Sequence, residues 1–373
     1  MSIPLAVALD GAGWHPAAWR APEARPRELF SGRYWRDLVQ TAERGGIDLV
    51  TIEDALGLQS PGFDDVVLES GEVRGRLDAL LIASFVAPVT TRIGLVPTVT
   101  VTHTEPFHVS TALATLDHTS RGRAGWRPVV SGRAHEAAHF GRRSVSFDQL
   151  QELFDEARDS IEVVRGLWNS WDDDAVIRDL PSGRFLDNSR LHPIDFHGDH
   201  FSVRGPSITP RPPQGQPLVT ILAHQTIPYR LAAQQADIVY ITPHTDAAVT
   251  SIIEEVRQAE QFVGRTGRPL SVWADIVVGI AETDAAASAR LEELGDITSD
   301  AVVLTGSASS IADRLLAWHA LGIEGFRLRP LVLPTDLTAI VDELRPLLPV
   351  ATSEATTLRE HLGFDAVPQG ATR

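Results

Sequence analysis

Apolar and polar positions alternate in blocks along the whole chain of 373 residues. Short runs rich in β-branched residues at 3–9, 49–52, 218–223, 238–241, 271–280 and 325–329 read as buried strands. Ile93, Leu95, Val96 and Val99 mark another, third in order, and 125–130 a fourth. Between the strands, apolar residues recur at helical spacing. Trp35, Leu38, Val39 and Ala42 form one such stripe, and Val109, Ala112, Leu113 and Leu116 a second. The longest is Leu150, Leu153, Phe154, Ala157, Ile161 and Val164. Further helices are predicted at 77–86, 227–236, 247–263, 283–294, 309–321 and 337–347. Gly45-Gly46, Gly122 and Gly264 stand where helices end, and Thr283 where one starts. Residues 300–305 fit neither pattern. The alternation predicts an α/β fold, a closed (β/α)8 TIM barrel, with an open doubly wound sheet as the competing architecture. Barrels commonly run roughly 200 to 400 residues as one unit. Residues 1–349 are therefore expected to form a single barrel domain, followed by a polar, peripheral C-terminal tail at 350–373.

One stretch breaks the rhythm. Residues 169–217 are polar and rich in Pro, Gly and Asp, an insertion before strand five. An excursion this long is usually functional, and a lid over the barrel is the expectation. An acidic loop is expected at 59–75. Polar groups gather instead at the end of strand three, where Thr98, Thr100, Thr102, His103 and Thr104 crowd together. Ligands of parallel α/β folds bind at the carboxyl ends of strands.

Composition narrows the partners. The 33 basic and 49 acidic residues leave a net charge of −16, which repels phosphate backbones and anionic lipid. Neither nucleic acid nor membrane is an expected partner. No cysteine is present, so there is no thiolate metal site and no thiol nucleophile. His192, His197 and His200, with Asp195 and Asp199, lack strict metal spacing, and no metal site is expected. The first residues lack a basic n-region, and no apolar run approaches the roughly 18 residues of a membrane span. A cytoplasmic homo-oligomer is the expectation.

The segment LDHTSRGRAGW at 116–126, followed by AAHFG at 137–141, resembles the flavin-dependent monooxygenases of the bacterial luciferase superfamily. The nearest branch is that of the nitrilotriacetate and dibenzothiophene-sulfone monooxygenases. HPAAWR, YWRDLVQTAERGGIDLVTIED, LWNSW, FHGDHFSVRGP, PPQGQP and LREHLG extend the likeness over nearly the whole chain. The resemblance implies a (β/α)8 barrel with insertions. It also implies reduced FMN taken from a separate flavin reductase, O2 as co-substrate, and a small organic substrate.

Residue by residue, the resemblance carries flavin contact to Asp54 and Thr98. His103, in the loop beyond strand three, is a candidate proton donor beside the flavin, since histidine titrates near neutral pH. Other positions depart from the family. Arg127 replaces an asparagine; a guanidinium there suits a phosphate, a substrate carboxylate or an ion pair with a neighbouring acid. Leu150 and Phe154 stand where a histidine and a tyrosine face the flavin. Ala223-His224-Gln225-Thr226 replaces the Gly-Ser-Ser that holds the flavin phosphate, leaving His224 and Gln225 as the donors there. Gly306-Ser307 reads as a phosphate cradle or a plain helix cap. Two alternatives stay open: a deazaflavin (F420)-dependent hydride-transfer enzyme on the same barrel, and a flavin-free paralogue acting as a binding or assembly protein.

Overall fold

Eight strands pair in parallel, each with the next, and the last returns to the first. The computed structural model describes residues 2–59, 71–350 and 355–369. The strands are β1 (Leu5–Leu9), β2 (Leu49–Ile52), β3 (Gly94–Thr100), β4 (Gly125–Val129), β5 (Leu218–Leu222), β6 (Ile238–Ile241), β7 (Ser271–Ile280) and β8 (Gly325–Pro330). Closure is made by Leu5 of β1 opposite Phe326 of β8, with β8 also paired to β7. The open sheet is thereby excluded, and the barrel is the fold. The segment at 300–305 resolves into a further strand, Val303–Gly306, paired only with the far end of β7.

The helices are α1 (Gly32–Arg44), α2 (Ala79–Val86), α3 (Pro106–Ser120), α4 (Ala134–Phe140), α5 (Leu150–Trp168), α6 (Thr226–Gln235), α7 (Asp246–Val263), α8 (Asp284–Leu294), α9 (Ala308–Ala320) and α10 (Thr335–Ala339). Thr283 caps α8 as expected, its side chain accepting from the amide of Ala286. The end of α3 differs from expectation. Arg121 takes the left-handed position, with φ 58°, and Gly122 follows it at φ 84°. The short helix α4 was not foreseen, because its seven residues carry only one turn of apolar signal.

Two apolar layers form. One lies between the strands and the helices. The other is inside the barrel at its N-terminal end and joins Ala6, Leu49, Val96, Leu218, Ile238, Tyr240 and Trp273 to Leu358 and Phe364. The last two come from the tail, which is therefore not peripheral: Leu358 is 1% exposed and Phe364 5%. The tail helix Leu358–His361, closed by a Thr357/Glu360 capping box, is the barrel's floor. Gly94 allows this approach, since a Cβ there would lie 2.6 Å from the Leu358 side chain. Arg359 adds bonds to Gln214, Gln216 and Asp237.

The expected lid is also displaced. Helix α5 descends from the mouth, so the excursion that follows begins at the floor. It carries two short hairpins, Val176–Asp179 with Arg184–Leu186 and Phe196–His197 with Ser202–Val203. Its two ends contact the lower ends of other elements, Gln214 with Asp117 of α3, His118 with the Pro210 carbonyl, and Arg211 with the tail carbonyl of Val367, while Asp199 and His200 share a groove with Gln149 and Glu152 at the start of α5. Of the loop expected at 59–75, residues 60–70 lie outside the described residues.

Candidate functional site

Side chains that point into the barrel alternate along each strand, and toward the C-terminal end they turn from apolar to charged. Thr51 and Glu53 continue β2, Thr98 lies on β3, Arg127 on β4, Asp275 on β7, and Arg327 and Arg329 on β8. Glu53 bridges Arg127 and Arg327. Asp275, with no exposed surface, binds Arg327 at 2.6 Å and Arg329 at 2.6 Å. Arg329 reaches on to Asp300, and Asp300 stands 3.3 Å from the Nε2 of His224. His224 Nδ1 completes the series at 2.9 Å from the hydroxyl of Thr242. The rings of Tyr240 and Trp14 lie 5.3 and 5.7 Å from the Arg327 guanidinium, and Trp14 also lies 5.1 Å from that of Arg329.

The charge states follow from this wiring. Burial pushes Glu53 up, but the charges of Arg127, Arg327 and Arg329 outweigh it and hold the carboxyl below its ordinary range. Burial likewise opposes ionisation of Asp300, and hydrogen bonds from His224 and Arg329 reverse it, keeping Asp300 a carboxylate. Asp10 sits beside this network and is raised, chiefly by burial, against the pull of Arg76.

The structure distributes the expected site residues unevenly. Thr98, Arg127 and His224 belong to the one network. Thr98 is 1% exposed, and its hydroxyl accepts from Arg127 Nε at 3.1 Å. Of the readings open for Arg127, the ion pair with a neighbouring acid is present, and the acid is Glu53. Asp54 turns outward to anchor α2, accepting from the amides of Ala55 and Ala79 at 2.8 Å each. Burial raises its carboxyl to about 6 in spite of those two bonds. Gln225 is exposed at the start of α6 and makes no side-chain cap. Phe154 faces α6 and α7. It lines a groove of about 170 Å³ on the outside of the barrel, with Ile227, Arg230 and Phe262 of α6 and α7. A stripe on a helix states that a face is apolar and leaves open which neighbour it faces.

His103 lies under α4, its ring stacked on Phe140 at 5.1 Å. Burial, with Arg143 nearby, lowers its pKa, so it is neutral at physiological pH and donates only as a neutral N–H. Its Nε2 is shut off from solvent without a partner, and so are both ring nitrogens of His135. His135 was not foreseen. Nor were Asp275, Arg327, Arg329 and Asp300. Their signal was nevertheless present: Arg327 and Arg329 alternate on a strand that is otherwise apolar, as Asp275 interrupts another. Gly306-Ser307 is a plain helix start. Ser307 caps α9, and the Asp284 carboxylate already takes its amide at 2.7 Å. Among the described residues no cluster able to hold a metal ion is present.

Comparison with known proteins places this mouth in context. Residues 12–298 match the luciferase-like monooxygenase family. The chain is 28% identical to the N-acetyl-S-(2-succino)cysteine monooxygenase of Bacillus subtilis, over 97% of both chains. It is 33% identical to component A of the nitrilotriacetate monooxygenase of Aminobacter aminovorans, over 76% of this chain and 64% of that one. A riboflavin lyase structure holding modified FMN and riboflavin overlays with a TM-score of 0.87 at 22% identity, covering 98% of this chain and 97% of that one, a likeness of fold alone. An F420-dependent tetrahydromethanopterin reductase from Methanopyrus kandleri overlays less closely, with a TM-score of 0.65 at 12% identity over 93% of this chain and all of that one.

Proposed function

The chain belongs to the luciferase-like monooxygenase family, and from that premise we propose that it is the oxygenase component of a two-component system. Reduced FMN would come from a separate flavin reductase and O2 from solution, and the substrate is a small organic molecule. The word component in the name of the Aminobacter relative supports the division of labour. When bound, reduced flavin supplies the electrons that activate O2.

The observation that carries this reading is the inventory of uncommitted donors at the mouth. At the start of α6 no side chain caps the helix and its first turn holds no acid, so its amides and positive dipole end are available to a phosphate. Gln225 flanks that end in an exposed position, as does His224, whose ring nitrogens already face Thr242 and Asp300. In the loops beyond β3 and β4, Nε2 of His103 and both ring nitrogens of His135 are buried and unpartnered. A flavin offers acceptors and donors of both kinds, so these residues fit it. Gln225 would hold the phosphate, joined by His224 where it exchanges Thr242 or Asp300 for it, with Asp54 at the rim. His103 would offer a neutral N–H under the cover of α4, away from bulk water. The Arg143 side chain holds α4's loop in place, bonding the Thr102 carbonyl at 2.7 Å and Glu156 at 2.6 Å.

F420 dependence is not favoured, because the F420-dependent reductase fits the barrel less well. A flavin-free binding role would leave the buried donors without a use. The test is anaerobic titration of the purified protein with reduced FMN and with F420, followed by fluorescence. Micromolar affinity for reduced FMN is expected. Binding of neither would sink the reading.

A further inference from the structure

Three arginines share the charged layer beneath the mouth, and their nitrogens are not equally committed. Arg327 spends all three: Nε on Thr51 at 2.9 Å, Nη1 on Asp275 at 2.6 Å, Nη2 on Glu53. Arg329 does the same, with Nε and Nη2 on Asp275 at 2.9 and 2.6 Å and Nη1 on Asp300. Arg127 uses Nε on Thr98 and Nη2 on Glu53. Its Nη1 has no partner among the described residues, yet it is not one of the atoms shut off from solvent, although the residue is only 5% exposed.

A second guanidinium is incomplete in the same neighbourhood. Arg76 makes one long contact to Asp10 through Nη2, at 3.4 Å, while its Nε is buried without a partner. Arg76 and Arg127 act electrostatically on the same two carboxyls, Glu53 and Asp10. Four guanidinium groups, those of Arg76, Arg127, Arg327 and Arg329, thus meet three firm carboxylates, those of Glu53, Asp275 and Asp300. Burial raises the pKa of the fourth carboxyl, Asp10, against the pull of Arg76. Donors of Arg76 and Arg127 are left without acceptors among the described residues. A buried donor without an acceptor costs free energy that an incoming acceptor recovers. A guanidinium only donates, so its complement is an oxyanion.

We propose that Arg127, with Arg76 beside it, is the recognition seat for a carboxylate group of the substrate. The inference rests on the monooxygenase reading of the same mouth. A phosphate offers the same oxyanion chemistry, but the cofactor's phosphate has its own donors at the start of α6. The substrate is therefore an organic acid, held by its carboxylate over Arg127.

The test uses the whole protein and two probes of one shape, succinate and the neutral succinamide, titrated calorimetrically. The wild type should prefer succinate by roughly tenfold or more, the effect of one charge-assisted hydrogen bond. The double variant Arg127→Met/Glu53→Gln, which strands no carboxylate, should lose that preference. Should it fail to fold, Arg76→Gln carries the test, and its preference should fall several-fold. Absence of any preference in the wild type, or its survival in these variants, overturns the proposal. Parallel anaerobic titrations with reduced FMN and reduced riboflavin separate the sources. If the variants lose their preference for FMN over riboflavin and keep that for succinate, the seat belongs to the cofactor and the substrate assignment fails. If the wild type binds no flavin but the succinate preference depends on Arg127, the carboxylate seat stands and the cofactor reading falls.

Discussion

Floor and mouth of this barrel use the same chemistry to opposite ends. At the floor, Asp237 has no exposed surface and receives Arg165 at 3.0 Å, Arg359 at 3.1 Å and the amide of Val219 at 2.9 Å. Asp117 receives the backbone and side chain of Gln214 and the amide of Ala124. Arg123 spends its donors on the carbonyls of Ala87, Thr90, Ile93 and Ser120. Leu358 and Phe364 then seal the end with apolar surface. At the mouth the buried charges are as dense, but donors of Arg76, Arg127, His103 and His135 are left over. The saturated carboxylates of Asp237 and Asp117 serve stability, although Nε of Arg211 at the floor is also shut off from solvent without a partner among the described residues. An unsatisfied network gives up stability and keeps a site, which is the usual division between the two faces of such barrels.

The comparison can be broken in four places, beginning with the largest effect. Asp275→Ala strands Arg327 and Arg329 in the interior and should cost about 3–5 kcal/mol in denaturant unfolding, since one partner of a buried pair is removed. A loss near zero would mean that water reaches the layer. Leu358→Ala should cost about 2–5 kcal/mol by leaving a cavity in the floor, with affinity for reduced FMN unchanged. A change in affinity would show that the two ends are coupled.

Asp54 gives a smaller effect with a definite sign. Its folded carboxyl titrates at about 6, against an ordinary value of 3.8. Between those values the folded chain keeps a proton that the unfolded chain has released, so stability falls as pH rises and the loss is complete above about 6. Asp54→Asn should flatten that part of the stability–pH curve; an unchanged slope would remove Asp54 as its source. His224→Ala should be the mildest in stability, within about 0.5 kcal/mol, because the residue is exposed. It should nevertheless reduce the preference for FMN over riboflavin. Equal binding of the two flavins by the wild type would move the phosphate away from α6.

The segment at 116–126 identified the family, yet its buried side chains Asp117 and Arg123 are floor residues rather than site residues. They are recognisable because a barrel needs the same closing bonds whatever it binds. The polar tail was misjudged because Leu358 and Phe364 are too few to give a periodic signal. The 169–217 excursion starts at the floor because α5 descends there, and its composition alone does not say how far it climbs back along α5. Phe154 shows a similar limit: its stripe is real, but the rotation of α5 turns it toward α6 and α7.

Local alternation alone determined the strands, most of the helices and hence the barrel, because burial patterns of period two and 3.6 are written over a few residues. Which charges meet inside was decided only by closure. Glu53 and Arg327 are 274 positions apart, and Glu53 and Arg127 are 74. They become partners because the register around the ring brings their strand ends to one height, and an ion pair formed that way leaves no mark in the spacing of its members along the chain.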